Sequence, residues 1–353
     1  MRREEIYSMK DNHIQFVTLD TLRGIAAIAV ATFHFVGGFK GYLAVDFFLV
    51  LSGFILSHSY LYKKPKTSTI SFISHRIARL YPLHIFTLFT YTITTLLVYK
   101  QFPTYTDGTL FTFFQHITLT QNIGLSPTEI TWNHPSWSIS VEFWVNIIFI
   151  FFISSKTQNR TLFIWSLIGF MIIYHNTGHL DTHSLNYYHF LNSGMVRGLS
   201  SFFLGILSYR IFLHYKNDHT IKKYTNVAEA LCLIGGLLFF FGNIGSIEIL
   251  APFFFMIAIT IFAFEAGYLS QFLNKFPYLG KISYSIYLNQ MTIILIINSL
   301  LTAFNIKKVW ILLPYLLTLI IYAHFTYIYI EKPLRNRGRE CLSRLTHTTT
   351  QTT

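Results

Sequence analysis

The sequence predicts an all-α, polytopic membrane protein with about ten transmembrane helices and both termini in the cytoplasm. Three observations lead there. Of the 353 residues only 12% are charged, against 52% hydrophobic and 18% aromatic, and the mean hydropathy is +0.45. A soluble chain of this length has no interior for so much Phe, Ile and Leu, whereas lipid solvates it in spans of about 20 residues. Apolar runs recur near residues 22–39, 43–61, 82–99, 137–153, 161–174, 194–213, 227–243, 247–267, 282–302 and 309–330. The Lys and Arg residues flank these runs instead of clustering in a soluble segment, so the net charge of +12 reads as membrane topology and not as nucleic-acid binding.

The first two runs, Leu22 to Ser57, are interrupted by Arg23, His34 and Asp46. An ionisable side chain near the centre of a membrane helix costs roughly 2.5–3.5 kcal/mol on insertion scales, so each such residue is a hypothesis about function. Arg23 and His34 fall within roughly 20° of one helix face, about 16 Å apart along the axis. That face places a cation at one end and a titratable imidazole at depth, a route for an anionic molecule carrying a reactive group. Neutral imidazole suits general-base chemistry near pH 7, with a structural hydrogen bond as the plainer reading. The segment is not a secretory signal, because it opens with Arg23 and continues into a second apolar run.

The third run is entered through His75-Arg76-Ile77-Ala78-Arg79-Leu80-Tyr81-Pro82. Arg76 and Arg79 share a face if this stretch is helical, and the guanidinium fork suits phosphate. An ordinary positive-inside anchor is the plain alternative; Arg23 at the same membrane level favours a three-guanidinium site for a polyanion. The loop Lys100 to Ser136 is polar, and Leu110 to Leu119 within it is too short for a span and reads as an interfacial or re-entrant piece. The fourth helix opens with His134-Pro135-Ser136-Trp137-Ser138 and continues to Glu142, one turn beyond Ser138 on the same face. A carboxylate there suits binding sugar hydroxyls, orienting His34 or balancing Arg197, while Trp137 stands at the height of an interfacial anchor.

His175, His179, His183 and His189 lie among loop-forming Gly, Asn and Thr and read as solvated rather than as a metal site; no metal is expected. Asp46 is placed either to orient His34 or to pair with Arg197 in the sixth helix, since buried charges seldom go unpaired. Glu265 and His324 carry no role beyond packing polarity, Glu331-Lys332-Pro333 marks the end of the last helix, and Cys232 and Cys341 suggest no disulfide framework. Of the 27 Lys and Arg, the outer segments hold only Lys40, Lys100, Lys307 and Lys308, and Arg23 and Arg197 lie within helices; the remainder fall on one side and place both termini inside. The expected organisation is a cytoplasmic segment 1–19, a transmembrane domain 20–335 and a Thr-rich, disordered cytoplasmic tail 336–353, with no appended soluble domain and no clear internal repeat.

Several motifs in order, LDTLRGIAAIAVATFHF, GYLAVDFFLVLSGFI, HRIARLYPLH, PSWSISVEFW, RGLSSFFLGIL, SYSIYLNQ and YIYIEKPLR, resemble the acyltransferase 3 family of integral membrane acyltransferases over nearly the whole chain. The resemblance implies transfer of an acyl group, commonly acetyl, from cytoplasmic acyl-CoA to a hydroxyl of a carbohydrate or lipid-linked glycan. It singles out Arg23, His34, Arg76, Arg79, Ser138 and Glu142. It also implies a bacterial inner-membrane setting and a surface polysaccharide such as the O-antigen of lipopolysaccharide. Two departures stand out: Gln290 occupies a position where the family often has His, and His75-Arg76 stands where two adjacent cations are common.

The mechanism expected from both lines has Arg23, Arg76 and Arg79 holding the phosphates of acetyl-CoA. His34, oriented by Asp46 or Glu142, acts as base, and Ser138, Trp137 and Arg197 meet the acceptor. A transporter or flippase built on the same buried charges, or a subunit delivering acyl groups to a partner protein, are the rival readings.

Overall fold

The computed structural model describes residues 15–62, 68–102, 110–125, 132–188, 191–304, 307–338 and 340. The expectations for His189, Cys341 and the Thr-rich tail lie outside these residues. In chain order the helices are α1 (Val17–Val36), α2 (Ala44–Leu56), α3 (Thr69–Tyr99), α4 (Leu110–Thr118), α5 (Ser136–Phe152), α6 (Asn159–Thr177), α7 (Ser193–Tyr215), α8 (His219–Phe241), α9 (Ala251–Phe262), α10 (Tyr268–Leu273), α11 (Pro277–Phe304) and α12 (Leu312–Thr326). A two-stranded ribbon, β1 (Asn186–Tyr187) and β2 (Leu191–Asn192), pairs Asn186 with Asn192 just before α7.

All ten apolar runs lie on helices, and eight segments among the described residues are long and apolar enough to cross a membrane. The two runs that fall short are α5, an apolar helix of 17 residues, and α6, which is less apolar along its 19. The chain is a multi-pass, all-α membrane protein. Helix ends follow local chemistry: Ser68 accepts from the Ser71 amide at the start of α3, Asn192 from Met195 at the start of α7, and Asp218 from Thr220 at the start of α8. Gly178 closes α6 at φ 72°.

α3 differs from expectation in a way that matters. It begins at Thr69, so Arg76 and Arg79 lie on the helix itself, and Pro82 sits inside it. Lipid and neighbouring helices supply the context in which a proline is tolerated within a span.

The core forms where small residues let backbones meet. α1 packs most extensively on α11 and α2 on α7. At the first crossing a Cβ on Gly24 would lie 2.6 Å from the Leu279 carbonyl carbon, and one on Gly280 would lie 2.3 Å from the Asp20 oxygen. At the second, a Cβ on Gly205 would lie 1.9 Å from the Val50 oxygen, with the Gly53 Cα at 2.9 Å. Apolar burial gains little over lipid for a membrane protein, so this close contact is the main packing term. Gly205→Leu must therefore push α2 and α7 apart. Overpacking of this kind costs about 1–3 kcal/mol or more, and a lowered thermal midpoint of the purified protein in detergent is the expected reading.

Candidate active site

α1 and α11 carry a ladder of polar contacts along their shared seam. Every third or fourth residue of α11, namely Gly280, Ser283, Tyr284, Tyr287 and Gln290, faces inward, which is the helical period. At one end of the seam Arg23 donates from Nη2 to the Gly280 carbonyl at 2.7 Å and from Nε to Ser283 Oγ at 3.0 Å, and pairs with Asp20 at 3.2 Å. The Gly24 and Gly280 contact brings the backbones near enough for these bonds. Towards the other end, His34 Nδ1 lies 3.0 Å from Gln290 Oε1.

Around Arg23 the cationic cluster assembles as the spacing suggested. Arg79 acts electrostatically on both Arg23 and Arg76, and Glu142 and Glu331 act on Arg23 from other helices. Arg76 is buried, its Nε has no hydrogen-bond partner, and its guanidinium lies 5.9 Å from the Phe72 ring centroid. Glu331 is held in a π-helical turn, Tyr327–Glu331, where it accepts from Ser285 at 2.7 Å and from Arg335 at 3.3 Å. Tyr284 donates to the Leu80 carbonyl of α3 at 2.8 Å, closing this end of the seam. Between the two ends, Ser138 and Tyr287 share a hydrogen bond at 2.8 Å. Glu142, half-buried one turn along α5, has no direct hydrogen-bond or ion-pair partner among the described residues.

A second polar cluster lies beyond His34. Asp46 and Arg197 form a bidentate pair, Nε to Oδ1 at 2.9 Å and Nη2 to Oδ2 at 2.6 Å, with side chains 0% and 1% exposed. Arg197 also donates to the Tyr42 carbonyl at 3.0 Å, and Ser201 Oγ donates to Asp46 at 3.1 Å. Trp137 is sandwiched: the Arg197 guanidinium lies 5.5 Å from its ring, and His183 stacks on it at 4.8 Å. His134 then bridges edge-on, 5.0 Å from His183 and 5.9 Å from His34. Burial, helped by His34, pushes His134 down to about 4, and burial, helped by His134, Arg197 and His34, pushes His183 down to about 3, so both are neutral at pH 7.

Several expectations are revised by this geometry. Neither Asp46 nor Glu142 is the hydrogen-bond partner of His34: the oxygens of Asp46 are taken by Arg197 and Ser201, Glu142 faces the Arg23 cluster, and Gln290 makes the contact. Trp137 is buried and not an interfacial anchor, and His183 is half-buried, stacked on Trp137. Glu265 accepts from the Thr18 amide at 2.7 Å, satisfying the first turn of α1, and His324 Nδ1 meets the Tyr278 hydroxyl at 2.6 Å. Tyr284, Tyr287, Gln290 and Glu331 were not assigned roles from sequence. The polar residues of GKISYSIYLNQ recur at helical spacing in an otherwise apolar stretch, and that period is the signal that finds all but Glu331.

A family model described as an acyltransferase domain matches residues 16–330. The chain is 28% identical to the O-acetyltransferase OatA of Staphylococcus aureus (strain NCTC 8325 / PS 47), over 96% of this chain and 59% of that protein. It is 43% identical to the Protein 2 in picA locus of Rhizobium radiobacter, over 21% of this chain and 42% of that one. It is 36% identical to the acyltransferase MdmB of Streptomyces mycarofaciens, over 29% of this chain and 26% of that one. The chain thus spans at most about three-fifths of the length of these curated relatives. No solved structure matches.

Proposed function

Because this chain belongs to the acyltransferase domain family, we propose that it is a membrane O-acyltransferase that moves an acyl group, acetyl in the first instance, from acyl-CoA to a hydroxyl of a surface glycan. The observation that carries this reading is the seam itself: one helix, α1, presents Arg23 in a cluster with Arg76 and Arg79 at one end and an oriented imidazole, His34, towards the other. Arg76 and Arg79 have donors to offer a polyanion, and in the orientation given by the basic residues they face the cytoplasm, where acyl-CoA is found. Both termini then lie inside, about ten helices span the membrane, and residues 20–335 form the transferase domain, flanked by a cytoplasmic segment 1–19 and tail 336–353.

In this mechanism His34 Nε2 takes the proton of the acceptor hydroxyl as its oxygen attacks the thioester carbonyl. The carbon–sulfur bond breaks, the ester forms, and the imidazolium returns the proton to the departing thiolate, giving free CoA. No metal takes part. Ser138, hydrogen-bonded to Tyr287, meets the acceptor, and Glu142 balances the guanidiniums. Trp137, Arg197 and Asp46 form the wall against which the acceptor rests. The acceptor enters from outside, which suits lipopolysaccharide O-antigen in a bacterial inner membrane. OatA, an O-acetyltransferase by name, matches along almost all of this chain and supports acetyl as the group moved.

The test uses the full chain in liposomes with labelled acetyl-CoA and isolated lipopolysaccharide. Label on the glycan is expected; label retained only on the protein points to an acyl-delivery subunit, and no transfer overturns the enzymatic reading in favour of transport. Arg79→Gln in the same assay is expected to raise the KM for acetyl-CoA about tenfold with little change in kcat, since it removes one phosphate contact made equally in ground and transition states.

A further inference from the structure

We propose that Gln290 is a positioning residue that holds His34 as the Nδ1–H tautomer and thereby makes Nε2 its basic atom. The inference rests on the function proposed above only for its kinetic consequence; the tautomer follows from hydrogen-bond chemistry.

Gln290 is fully buried on α11 and makes two contacts. Its Nε2 donates to the Tyr287 carbonyl at 2.8 Å, and its Oε1 faces His34 Nδ1 at 3.0 Å. An amide is ordinarily ambiguous because its oxygen and nitrogen look alike. Here the ambiguity is removed by Tyr287: a backbone carbonyl only accepts, so the amide nitrogen must be the atom that faces it. The oxygen is then the atom facing His34, and an amide oxygen also only accepts. Nδ1 must therefore carry the hydrogen, and in a neutral imidazole that leaves the lone pair on Nε2. A wrong tautomer presents N–H where a base is required.

The groups packed around His34 offer no competing partner for Nδ1. On α2, Asp46 is engaged by Arg197 and Ser201. On α12, Tyr315 donates to the Ala31 carbonyl. From the segments flanking α5 and α7, His134 meets the ring edge-on with His183 behind it, and Asp181 acts only at longer range. Gln290 makes the only hydrogen bond to the His34 ring among the described residues. Its amide neither takes up nor releases a proton, so it orients the imidazole without charging it. A carboxylate at the same place would instead stabilise imidazolium and hold the base in its protonated form.

The experiment compares wild type, Gln290→Met, Gln290→Glu and His34→Ala as full-length protein in liposomes. One reading is transfer from labelled acetyl-CoA to isolated lipopolysaccharide as a function of pH. The other is the rate at which diethyl pyrocarbonate modifies His34, followed by mass spectrometry of its peptide, which needs no turnover. Gln290→Met keeps the side-chain shape and removes the acceptor; kcat is expected to fall about 10- to 100-fold with the KM for acetyl-CoA unchanged, within the range of general-base contributions. Gln290→Glu is expected to move the acid limb of the pH–rate profile, and the midpoint of His34 modification, upward by about one unit or more.

Unchanged kcat in Gln290→Met together with an unmoved midpoint in Gln290→Glu overturns the proposal. If Gln290→Met fails to fold, the modification midpoint of the Glu variant decides alone. Transfer that survives His34→Ala overturns the proposed function instead, and the modification midpoints still judge whether residue 290 holds the His34 ring.

Discussion

His34→Ala is expected to reduce acetyl transfer by about 10²- to 10⁴-fold, the range attached to a lost general base, while leaving the KM for acetyl-CoA near that of wild type. The split follows from the seam. His34 stands eleven residues from Arg23, so removing its ring leaves the guanidinium cluster intact. Arg23 keeps its bonds to Gly280 and Ser283, and Arg79 keeps its place beside Arg23 and Arg76. The substitution leaves Gln290 Oε1 without its partner, a buried acceptor whose desolvation costs about 1–3 kcal/mol. Some loss of thermal midpoint is therefore expected alongside the kinetic loss. Steady-state transfer with labelled donor, read against a melting curve of the same preparation, separates the two. A variant that melts like the wild type and transfers acetyl at the wild-type rate removes His34 from the chemistry.

The second large effect is on stability. Asp46→Ala is expected to destabilise the protein by about 3–5 kcal/mol, because it leaves the Arg197 guanidinium buried with its counter-ion gone. Arg197 is 1% exposed, and among the described residues its remaining hydrogen bonds are to the carbonyls of Tyr42 and Thr182, with the face of Trp137 beside it and the charge of Asp181 at longer range. Replacing both members, Asp46→Leu with Arg197→Met, is expected to recover most of that loss, since no charge is then stranded. A detergent thermal-shift series over the wild type, the two single variants and the double variant measures this. If the double variant is as unstable as the singles, the pair acts through something other than its charges. The double variant also tests the wall of the acceptor path, because Trp137 loses the guanidinium that fixes one of its faces.

Much of the fold was readable from hydropathy, because lipid allows only helices to cross and each must be apolar along its length. The pairing of Asp46 with Arg197 was readable as one of two options, since a buried charge demands a counter-charge. The start of α3 was not: residues 69–81 are too polar to register as a membrane run, and only capping by Ser68 and packing on α5 and α11 reveal that the helix already carries Arg76 and Arg79. The partner of His34 escaped for a different reason. Charged residues announce themselves as orienting groups, whereas a neutral amide carries no electrostatic signature in sequence. Its role depends on which backbone carbonyl sits next to it. Glu331 resembled a helix terminus because Lys332 and Pro333 follow it; the chain instead widens into a π turn and continues, turning that carboxylate inward. His183 looked like a loop histidine by its neighbours and is packed by residues distant in sequence.

The α1 and α11 pair has a mechanical consequence. Its backbones touch at Gly24 and Gly280, Arg23 clasps α11 at that contact, His34 and Gln290 clasp it further along, and Tyr315 of α12 bonds α1 as well. Sliding either helix along the other would break the Arg23 and His34 bonds together, so the two move as a single rigid spar. In the proposed mechanism the motion that admits a donor then falls to helices other than this pair, α3 with its interior Pro82 among them.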